Sequence, residues 1–287
     1  MITQVKYAVL PVAGFGTRML PLSKSVPKEL LPLANKPCIQ YVVEEAIAAG
    51  IEHIILVNHA QKQAIENYFD INAELDNKLR AKGKDELADS LNFLPKNVSV
   101  SSVRQGVPLG LGHAVAQARN IVGNEPFAVL LPDVILSPFS TDYKTDNLAK
   151  MCQAFKDTGK TQILVEEVAD SDVHKYGIAR LTEGRSVPVG QTGAAVSGFV
   201  EKPKLEDAPS NLAIVGRYVF DGAVFDYLKD AKPTVGGEIQ LTDAIDALIA
   251  SHGVDIMVMT GESHDAGNLT TYMQAFIEFA NHALNEV

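Results

Sequence analysis

The sequence predicts a doubly wound α/β fold, and three of its features indicate this. Apolar runs of strand length, the first of them Tyr7–Val12, alternate with segments whose apolar residues recur at helical spacing. The first run is apolar enough to lie centrally in a parallel sheet, with both faces covered. Glycine-rich loops follow two of the strands, at the strand ends where ligands bind in such sheets. Alternating strands and helices favour one layered α/β sheet.

The elements near the amino terminus follow a strand-loop-helix-strand-helix order. Pro37 can occupy the first turn of a helix, whose apolar positions recur until Gly50 stops it. Ile51–Asn58 is a second strand, and Gln61–Phe69 is a second helix. This order predicts parallel strands joined by helical crossovers.

Residues 70–96 interrupt that rhythm. Charged residues are frequent in this segment and large apolar residues are few. The simplest interpretation is an exposed helical excursion with a solvated surface, and the alternative is a lid or a contact surface.

The remaining elements complete a single predicted domain, 1–287, with small α+β embellishments. Val98–Arg104 alternates as a strand, Gln105–Gly112 is a second glycine-rich loop, and a helix is expected at His113–Val122. Phe127–Leu136 is an apolar strand that is interrupted at Pro132 and Asp133. Further along we expect helices at Asn147–Gly159, Ala223–Asp230, Glu238–Ser251 and Thr270–Leu284, strands at Thr161–Val168, Leu212–Phe220 and Val254–Thr260, and a loop at Ser263–Asn268.

Charge and composition exclude several classes of function. The net charge is −10, which disfavours nucleic-acid binding because such binding requires neutralised phosphates. No apolar run reaches the roughly 18 residues of a membrane span, and the N-terminus lacks the regions of a signal peptide, so we expect a cytoplasmic protein. The two cysteines, Cys38 and Cys152, have no metal-binding spacing and are expected to be buried free thiols.

The segment Leu10–Pro37 is the strongest candidate for a ligand site. It contains Gly14 and Gly16, then a run of cations broken by prolines, so it cannot be one regular helix. The cations are Arg18, Lys24, Lys28 and Lys36. A rigid, basic, glycine-led loop at the end of a strand suits a polyphosphate, whereas the plain alternative is a chance cluster of solvated lysines. The segment lacks the third glycine of a dinucleotide-binding loop, and the chain contains no P-loop motif.

Asp133 is the second candidate. It lies where the apolar strand Phe127–Leu136 is interrupted, and an unpaired carboxylate is too costly to bury in a core. Because ligands bind beyond the carboxyl ends of such strands, a metal or ligand role is favoured over an Asp satisfied by a turn.

Several ordered motifs resemble those of the sugar-1-phosphate nucleotidylyltransferase family. The segments Pro11–Pro21, Val26–Pro32 and Lys36–Pro37 look like the signature of that family. Later segments are similar to the bacterial members that act on UTP and glucose 1-phosphate: Arg104–Ala114, Leu131–Val134, Val200–Pro203, Ser210–Tyr218, Glu238–Ile245 and Ser263–Asp265. The resemblance covers nearly the whole chain and implies a Rossmann-like, doubly wound mixed sheet of the nucleotide-diphospho-sugar transferase type, with a C-terminal helix.

The resemblance also implies a reaction. UTP and glucose 1-phosphate would give UDP-glucose and pyrophosphate, with Mg2+ as the cofactor. The sugar phosphate is already an anionic nucleophile, so no general base is needed, and the sequence offers no plausible nucleophile–base pair. The residues must instead align two anions and stabilise the charge on the transferred group.

Site roles carried over from the family fall on four groups of residues. For the nucleotide they are Ala13, Gly14, Gly16, Gln105 and Gly110; for catalysis Arg18, Lys28, Asp133 and Lys202; for the sugar Gly177, Glu201, Lys202 and Gly216; and for the metal Asp133 and Asp265. Glu201 and Lys202 are adjacent in a strand, so the backbone must twist if both side chains face one ligand. Glu29 is expected to support the loop through an ion pair, and His113 and His264 are expected to be structural.

Two alternatives to this function remain at the level of the sequence. One is a thymidylyltransferase that acts on the same sugar phosphate, since thymine adds only a methyl group. The other is a non-catalytic regulatory paralogue that binds nucleotide sugars, although Arg18, Lys28 and Asp133 are intact. A homo-oligomer, dimer or tetramer, is expected from the resemblance. The apolar closing helix could pack on a partner subunit or on its own sheet.

Overall fold

The structure is a computed structural model, and it describes residues 4–182, 187–233 and 237–285. The strands are β1 Tyr7–Pro11, β2 Pro32–Leu33, β3 Lys36–Pro37, β4 His53–Asn58, β5 Ser99–Arg104, β6 Phe127–Leu130, β7 Val134–Leu136, β8 Thr161–Glu167, β9 Gly177–Leu181, β10 Thr192–Glu201, β11 Leu212–Phe220, β12 Val254–Val258 and β13 Ser263–Asp265. The helices are α1 Cys38–Ala48, α2 Gln63–Phe69, α3 Ala73–Arg80, α4 Asp85–Asp89, α5 Leu111–Ala116, α6 Arg119–Val122, α7 Leu148–Thr158, α8 Val224–Asp230, α9 Leu241–Ser251 and α10 Leu269–Asn285.

A mixed sheet of nine strands organises the described residues, in the order β5-β4-β1-β6-β11-β8-β12-β10-β9. Strands β5, β4, β1 and β6 are parallel, β11 is antiparallel to both of its neighbours, and β12 is parallel to β8. The carboxyl ends of the four parallel strands therefore meet at one edge of the sheet. The predicted doubly wound α/β fold is confirmed.

Both faces of this sheet are buried, which explains why its central strands are almost wholly apolar. Along β1, Ala8 and Leu10 pack into the core that contains α1, α2, α7 and α10. Val9 points to the opposite face and packs into the core that contains α5, α6, α8 and α9. The period of two sends successive side chains to opposite faces. A strand covered on both sides therefore has few polar positions.

Three predicted elements differ from the structure near the site. The helix expected at Glu238–Ser251 begins only at Leu241, because residues 238–240 form an extended segment that contacts the second glycine-rich loop. The helix expected at His113–Val122 is divided into α5 and α6, where the amides of Gln117 and Ala118 bond to carbonyls three residues back. The segment Ser263–Asp265, expected to be a loop, is strand β13, which pairs with β7.

The predicted interruption at Pro132 and Asp133 is confirmed, and it divides the expected strand into two strands of different sheets. Strand β6 belongs to the large sheet, whereas β7 pairs only with β13 in a separate two-stranded sheet. Pro132 lacks the N–H that a continuous central strand would need. The chain therefore leaves the sheet at Leu130, and Asp133 lies in the turn between the two strands.

The excursion expected at residues 70–96 is helical and exposed, as predicted. It contains α3 and α4, in which Ala88 is the one buried residue. No helix of the described residues has both the length and the apolarity needed to cross a bilayer.

Candidate active site

The first glycine-rich loop continues directly from β1 at the carboxyl edge of the sheet. The Val12 amide still bonds to the Val57 carbonyl oxygen at 2.9 Å, and the chain then turns at Gly16 with φ +65°. Ser23 Oγ donates to the Gly16 carbonyl oxygen at 2.7 Å, so the basic segment folds back over the loop. A Cβ at Gly16 would lie 3.3 Å from Ser23 Cβ and 3.5 Å from the stem of Lys28. Glycine is needed there for its positive φ and for the close approach.

Lys28 and Asp133 form an ion pair between the first loop and the turn after β6. Lys28 Nζ donates to Asp133 Oδ2, and both side chains are more than four-fifths buried. Burial opposes the charged form of Lys28, but the Asp133 and Glu29 carboxylates together hold the pKa of Lys28 above its usual value. Burial likewise opposes the charged form of Asp133, whose pKa the Lys28 ammonium nevertheless holds below its usual value. Both groups are therefore charged at neutral pH.

Arg18, Asp133 and Asp265 converge at Gly267. A Cβ built at Gly267 would lie 2.7 Å from Asp265 Oδ1, 2.8 Å from Arg18 Nη2 and 2.9 Å from Asp133 Oδ2. Only a glycine allows these three groups to approach one another so closely. The turn is tied together by the Ala266 amide, which donates to the Asp133 carbonyl oxygen at 2.7 Å.

The two carboxylates at this point fit a divalent metal ion. The Gly267 amide at 2.7 Å and Asn268 Nδ2 at 3.1 Å orient Asp265, each by one bond to a different oxygen of its carboxylate. Each oxygen keeps a second lone pair with which it can bind a metal ion. Carboxylate oxygens beside a phosphate site are the ligands that Mg2+ prefers. Asp265 Oδ1 and Asp133 Oδ2 lie 2.7 and 2.9 Å from the position that a Cβ on Gly267 would take, so the two carboxylates converge on one point.

A cavity of about 650 Å³ lies over these groups at the carboxyl edge of the sheet. Its lining includes most of the site residues that the sequence singles out: Ala13, Gly14, Arg18, Lys28, Gln105, Gly110, Asp133 and Lys202. Gly16 shapes the loop without lining the cavity. A second cavity of about 440 Å³, beside the helical excursion, has none of these residues in its lining.

The second glycine-rich loop forms the opposite wall of the cavity. Gly110 has φ +94°, and a Cβ there would lie 2.9 Å from both Glu238 Cβ and the Ile239 carbonyl oxygen. The Ile239 amide donates to the Leu109 carbonyl oxygen at 2.7 Å, which fixes the extended segment before α9 against the loop. Glu238 also lines the cavity, and the sequence analysis assigned no site role to it. The signal that could have found it is its place at the start of the family-like segment Glu238–Ile245.

Gln105 is almost fully buried and is held in place from two sides. Its Nε2 lies 3.2 Å from the Gly110 carbonyl oxygen and 3.0 Å from His113 Nδ1. His113 lies in α5, and its ring contacts Gln105 and Gln117, in agreement with the structural role expected for it. The Gln105 amide is therefore preorganised at the cavity wall.

Three of the predicted sugar residues, Gly177, Glu201 and Lys202, lie together where β9 begins and β10 ends. Lys202 has φ +46°, so the backbone does twist after β10, and its amide donates to the Tyr176 carbonyl oxygen at 2.9 Å. Lys202 Nζ lies 3.7 Å from Glu201 Oε1, and Gly177 lies opposite Glu201 in the β9–β10 register. A Cβ at Gly177 would lie 3.2 Å from Glu201 Oε2, so this glycine leaves room beside the carboxylate.

Of the four predicted sugar residues, Lys202 lines the cavity, whereas Gly177, Glu201 and Gly216 are not part of its lining. The sugar role of Gly216 stays a prediction. Gly216 has φ +78° at an irregularity of β11, and a Cβ there would lie 2.7 Å from Leu131 Cδ1. Its carbonyl oxygen accepts from the Leu131 amide at 2.9 Å. The position requires glycine for reasons of packing and backbone, next to the turn that carries Asp133.

Glu29 supports the first loop through a buried ion pair, as the sequence predicts. Its partner is Lys62, whose Nζ lies 2.9 and 2.8 Å from the two Glu29 oxygens and 2.8 Å from the Val12 carbonyl oxygen. Burial raises the pKa of Glu29 and lowers that of Lys62, and the attraction between the two charges opposes both shifts. The sequence argument missed Lys62. Its position just after the carboxyl end of β4 is the signal that could have found it.

Comparisons with known proteins agree with this geometry. The family model described as "Nucleotidyl transferase" matches residues 7–282. The UTP–glucose-1-phosphate uridylyltransferase of Haemophilus influenzae is 52% identical over 273 residues, which cover 95% of this chain and 92% of that protein. The enzyme of the same name from Escherichia coli K12 is 52% identical over 283 residues, with 96% and 91% covered.

Solved structures give the same result. The UTP-bound UGPase of Acinetobacter baumannii has a TM-score of 0.88 at 44% identity and covers 96% of this chain, with 93% of its own chain covered. A UDP-glucose pyrophosphorylase complexed with UDP-glucose has a TM-score of 0.80 at 34% identity, with 99% and 100% covered.

Proposed function

The chain belongs to the nucleotidyl transferase family, and from this premise we propose that it transfers the uridylyl group of UTP to glucose 1-phosphate. The products are UDP-glucose and pyrophosphate. The observations that carry this assignment are that Arg18, Lys28 and Asp133 line one cavity and that Arg18, Asp133 and Asp265 converge at Gly267, in a chain whose relatives at 52% identity are named for this reaction. Solved relatives bound to UTP and to UDP-glucose support both ends of the reaction.

The reaction proceeds by direct displacement and needs no protein nucleophile. The phosphate of the sugar attacks the α-phosphorus of UTP, and pyrophosphate leaves on the opposite side. Both substrates are anions, so the site must overcome their repulsion and stabilise the charge that spreads over the transferred group. Arg18 and Lys28 lie on the cavity wall to bind the phosphates of UTP, and Lys202, which also lines the cavity, neutralises the sugar phosphate.

Members of this family use a divalent metal, and we propose that it is Mg2+ held by Asp133 and Asp265. The ion, when bound, would neutralise phosphate charge at the reacting centre. The ammonium of Lys28 pairs with Asp133 in the structure. Binding of the phosphates would draw Lys28 towards them and leave the carboxylate for the metal.

The remaining residues bind the two substrates. Ala13, Gly14 and Gly16 present the backbone of the first loop to the nucleotide, and Gln105 with Gly110 reads the edge of uracil. On the sugar side, Glu201 accepts hydrogen bonds from glucose hydroxyls beside Gly177, in a space that a Cβ would fill. Gly177 and Gly216 let the backbone approach the sugar.

The alternatives are less well supported. A thymidylyltransferase structure matches with a TM-score of 0.74 at 21% identity, which indicates a shared fold alone. A non-catalytic paralogue would have no need of the charged Lys28–Asp133 pair or of the convergence at Gly267.

The test is pyrophosphate release by the purified protein, measured for UTP and dTTP with glucose 1-phosphate and Mg2+. We expect turnover with UTP and a clear preference for it over dTTP. A preference for dTTP would overturn the choice of base, and absence of release with every nucleotide and sugar phosphate would overturn the enzymatic assignment. A homo-oligomeric state and a cytoplasmic location belong to the same proposal.

A further inference from the structure

Arg217 is the largest fully buried side chain of the described residues, and nothing in the proposed chemistry uses it. It lies in β11, within an otherwise apolar strand, and none of its side-chain surface is exposed. Its partner is Glu45 of α1, with Nη2 2.8 Å from Glu45 Oε2 and Nε 3.1 Å from both oxygens. The two residues are 172 positions apart in the chain, so only the fold brings them together.

The rest of the Arg217 guanidinium binds backbone around Asp133. Nη2 also donates to the Val134 carbonyl oxygen at 2.8 Å, and Nη1 donates to the carbonyl oxygens of Leu131 at 3.2 Å and of Gly216 at 3.3 Å. A guanidinium has five N–H donors in a planar fork, and these contacts engage all three of its nitrogens. Leu131 and Val134 bracket Asp133, so one rigid group spans the turn that carries the carboxylate.

We propose that Arg217, held by Glu45, is a positioning residue that fixes the Leu131–Val134 turn and so places Asp133 opposite Lys28 and Asp265. The inference rests on the proposed function, because it concerns the same site. Arg217 itself touches no substrate in this arrangement. It acts through the backbone of its neighbours.

A purely stabilising role explains these contacts less well. A buried ion pair is often no more stabilising than a well-packed apolar pair of similar volume, because both charges lose their hydration. An apolar pair, however, offers no donors to the carbonyl oxygens of Leu131 and Val134. What the ion pair supplies in addition is the spacing between the two ends of the Asp133 turn.

A lysine at this position also lacks the necessary geometry. Its ammonium is a single point charge on a flexible stem, whereas the guanidinium fork addresses several acceptors in fixed directions. Arg217→Lys keeps the charge that neutralises Glu45 but cannot reach Glu45, Leu131 and Val134 in one arrangement. It therefore separates the neutralising role of Arg217 from the positioning role.

The test compares the wild-type protein with Arg217→Lys and with the double variant Glu45→Met, Arg217→Met, which removes both buried charges. Turnover and KM for UTP are measured by pyrophosphate release, and backbone exchange at residues 131–134 is measured by hydrogen–deuterium exchange. We expect folded variants with kcat lowered by about 10- to 100-fold and little change in KM for UTP. Exchange in the turn should be faster than in the wild-type protein, whereas exchange in β1 should stay as in the wild type.

The control is Leu248→Ala, which removes a buried side chain of α9 from the core on the opposite face of the sheet. It lowers stability without touching the turn, so it should keep wild-type kcat. A folded double variant with wild-type kcat and wild-type exchange would overturn the proposal, as would an equal loss of kcat in Leu248→Ala. If the double variant does not fold, Arg217→Lys decides: reduced kcat with faster exchange supports positioning, and wild-type values refute it.

The two proposals fail separately. If the wild-type protein releases no pyrophosphate, the proposed function is wrong. In that case the exchange measurement still reports whether Arg217 orders the Asp133 turn.

Discussion

Two charged residues at the centre of the site, Lys28 and Asp133, come from loops more than 100 positions apart. Each holds the other in its charged form against the cost of burial, so the structure places one positive and one negative charge at the centre of the site. Preorganised charge of this kind costs no reorganisation at the moment of reaction. Catalysis should therefore depend steeply on both groups.

We predict that Lys28→Ala and Asp133→Ala each lower kcat by at least about 100-fold, the size expected when a preorganised charge is lost. Steady-state pyrophosphate release from UTP and glucose 1-phosphate measures it. Asp157→Ala, which removes an exposed carboxylate of α7, is the matched control and should keep wild-type turnover. Wild-type rates in either folded site variant would refute the role assigned to that residue.

The Glu29–Lys62 pair is the residue-scale support of the first loop. Glu29 is 1% exposed, and Lys62 also bonds to the Val12 carbonyl oxygen at the end of β1. Lys62→Met should lower the free energy of unfolding by about 3–5 kcal/mol, because it leaves a buried carboxylate without a partner. Urea denaturation measures this loss.

Two comparisons make that prediction specific. Adding Glu29→Leu to Lys62→Met should recover much of the stability, since no unpaired charge then remains. Lys78→Met breaks an exposed pair with Glu74 and should have little effect on unfolding. A small effect of Lys62→Met, equal to that of Lys78→Met, would contradict the support role.

At the scale of elements, the strands carry the site and the excursion lies apart from it. The loops that follow β1, β5 and β6 all leave the sheet at its carboxyl edge, which is where the cavity lies. Helices α3 and α4 instead bury almost nothing, and Arg80 of α3 joins them through exposed pairs with Asp85 and Asp89 of α4. Exposed pairs of this kind contribute little to stability.

We predict that amides of Ala73–Arg80 and Asp85–Asp89 exchange with deuterium much faster than those of α1, because few buried contacts oppose local opening. Exchange mass spectrometry of the free protein measures this. Protection equal to that of α1 would contradict it. The same experiment separates the two other interpretations of the excursion: slowing by UTP would indicate a lid, and slowing at higher protein concentration would indicate a contact surface.

At the scale of the whole molecule, the closing helix α10 serves two surfaces. Tyr272, Ala275 and Phe279 are buried against the chain itself, as one of the two sequence interpretations expected. Met273, Ile277 and Leu284 lie on the outer side and are 54%, 58% and 73% exposed. Exposed apolar side chains at helical spacing favour contact with a partner.

We predict that light scattering gives a homo-oligomer and that Ile277→Glu lowers its mass, because a buried charge at an interface is costly. Ile71→Glu on the excursion, which replaces an isoleucine that is even more exposed, is the control and should leave the mass unchanged. A monomeric wild-type protein would refute the expectation. A loss of mass with Ile71→Glu alone would move the interface to the excursion.

The single-domain organisation predicted for residues 1–287 stays a prediction.

The sequence by itself determined the features that local chemistry dictates. Apolar periodicity predicted most strands and helices, including the break at Pro132, and the glycine-led basic loop predicted a phosphate site. Family resemblance then named Lys28, Asp133 and Asp265 together, although the chain alone gives no measure of their separation. The predicted helix boundaries were wrong where tertiary contacts override helical propensity. One example is the extended segment 238–240, which is held by the Leu109 carbonyl oxygen.

Only the tertiary structure decided which polar residues support the site. Lys62 and Arg217 carry no motif of phosphate chemistry, and each owes its importance to a partner far away in the chain. The close contact of Gly216 with Leu131, next to the turn that carries Asp133, is likewise visible only in the fold. Periodicity is a property of neighbouring residues and can be read locally. The pairing of buried charges depends on which elements pack together, and that is settled when the sheet and its helices assemble.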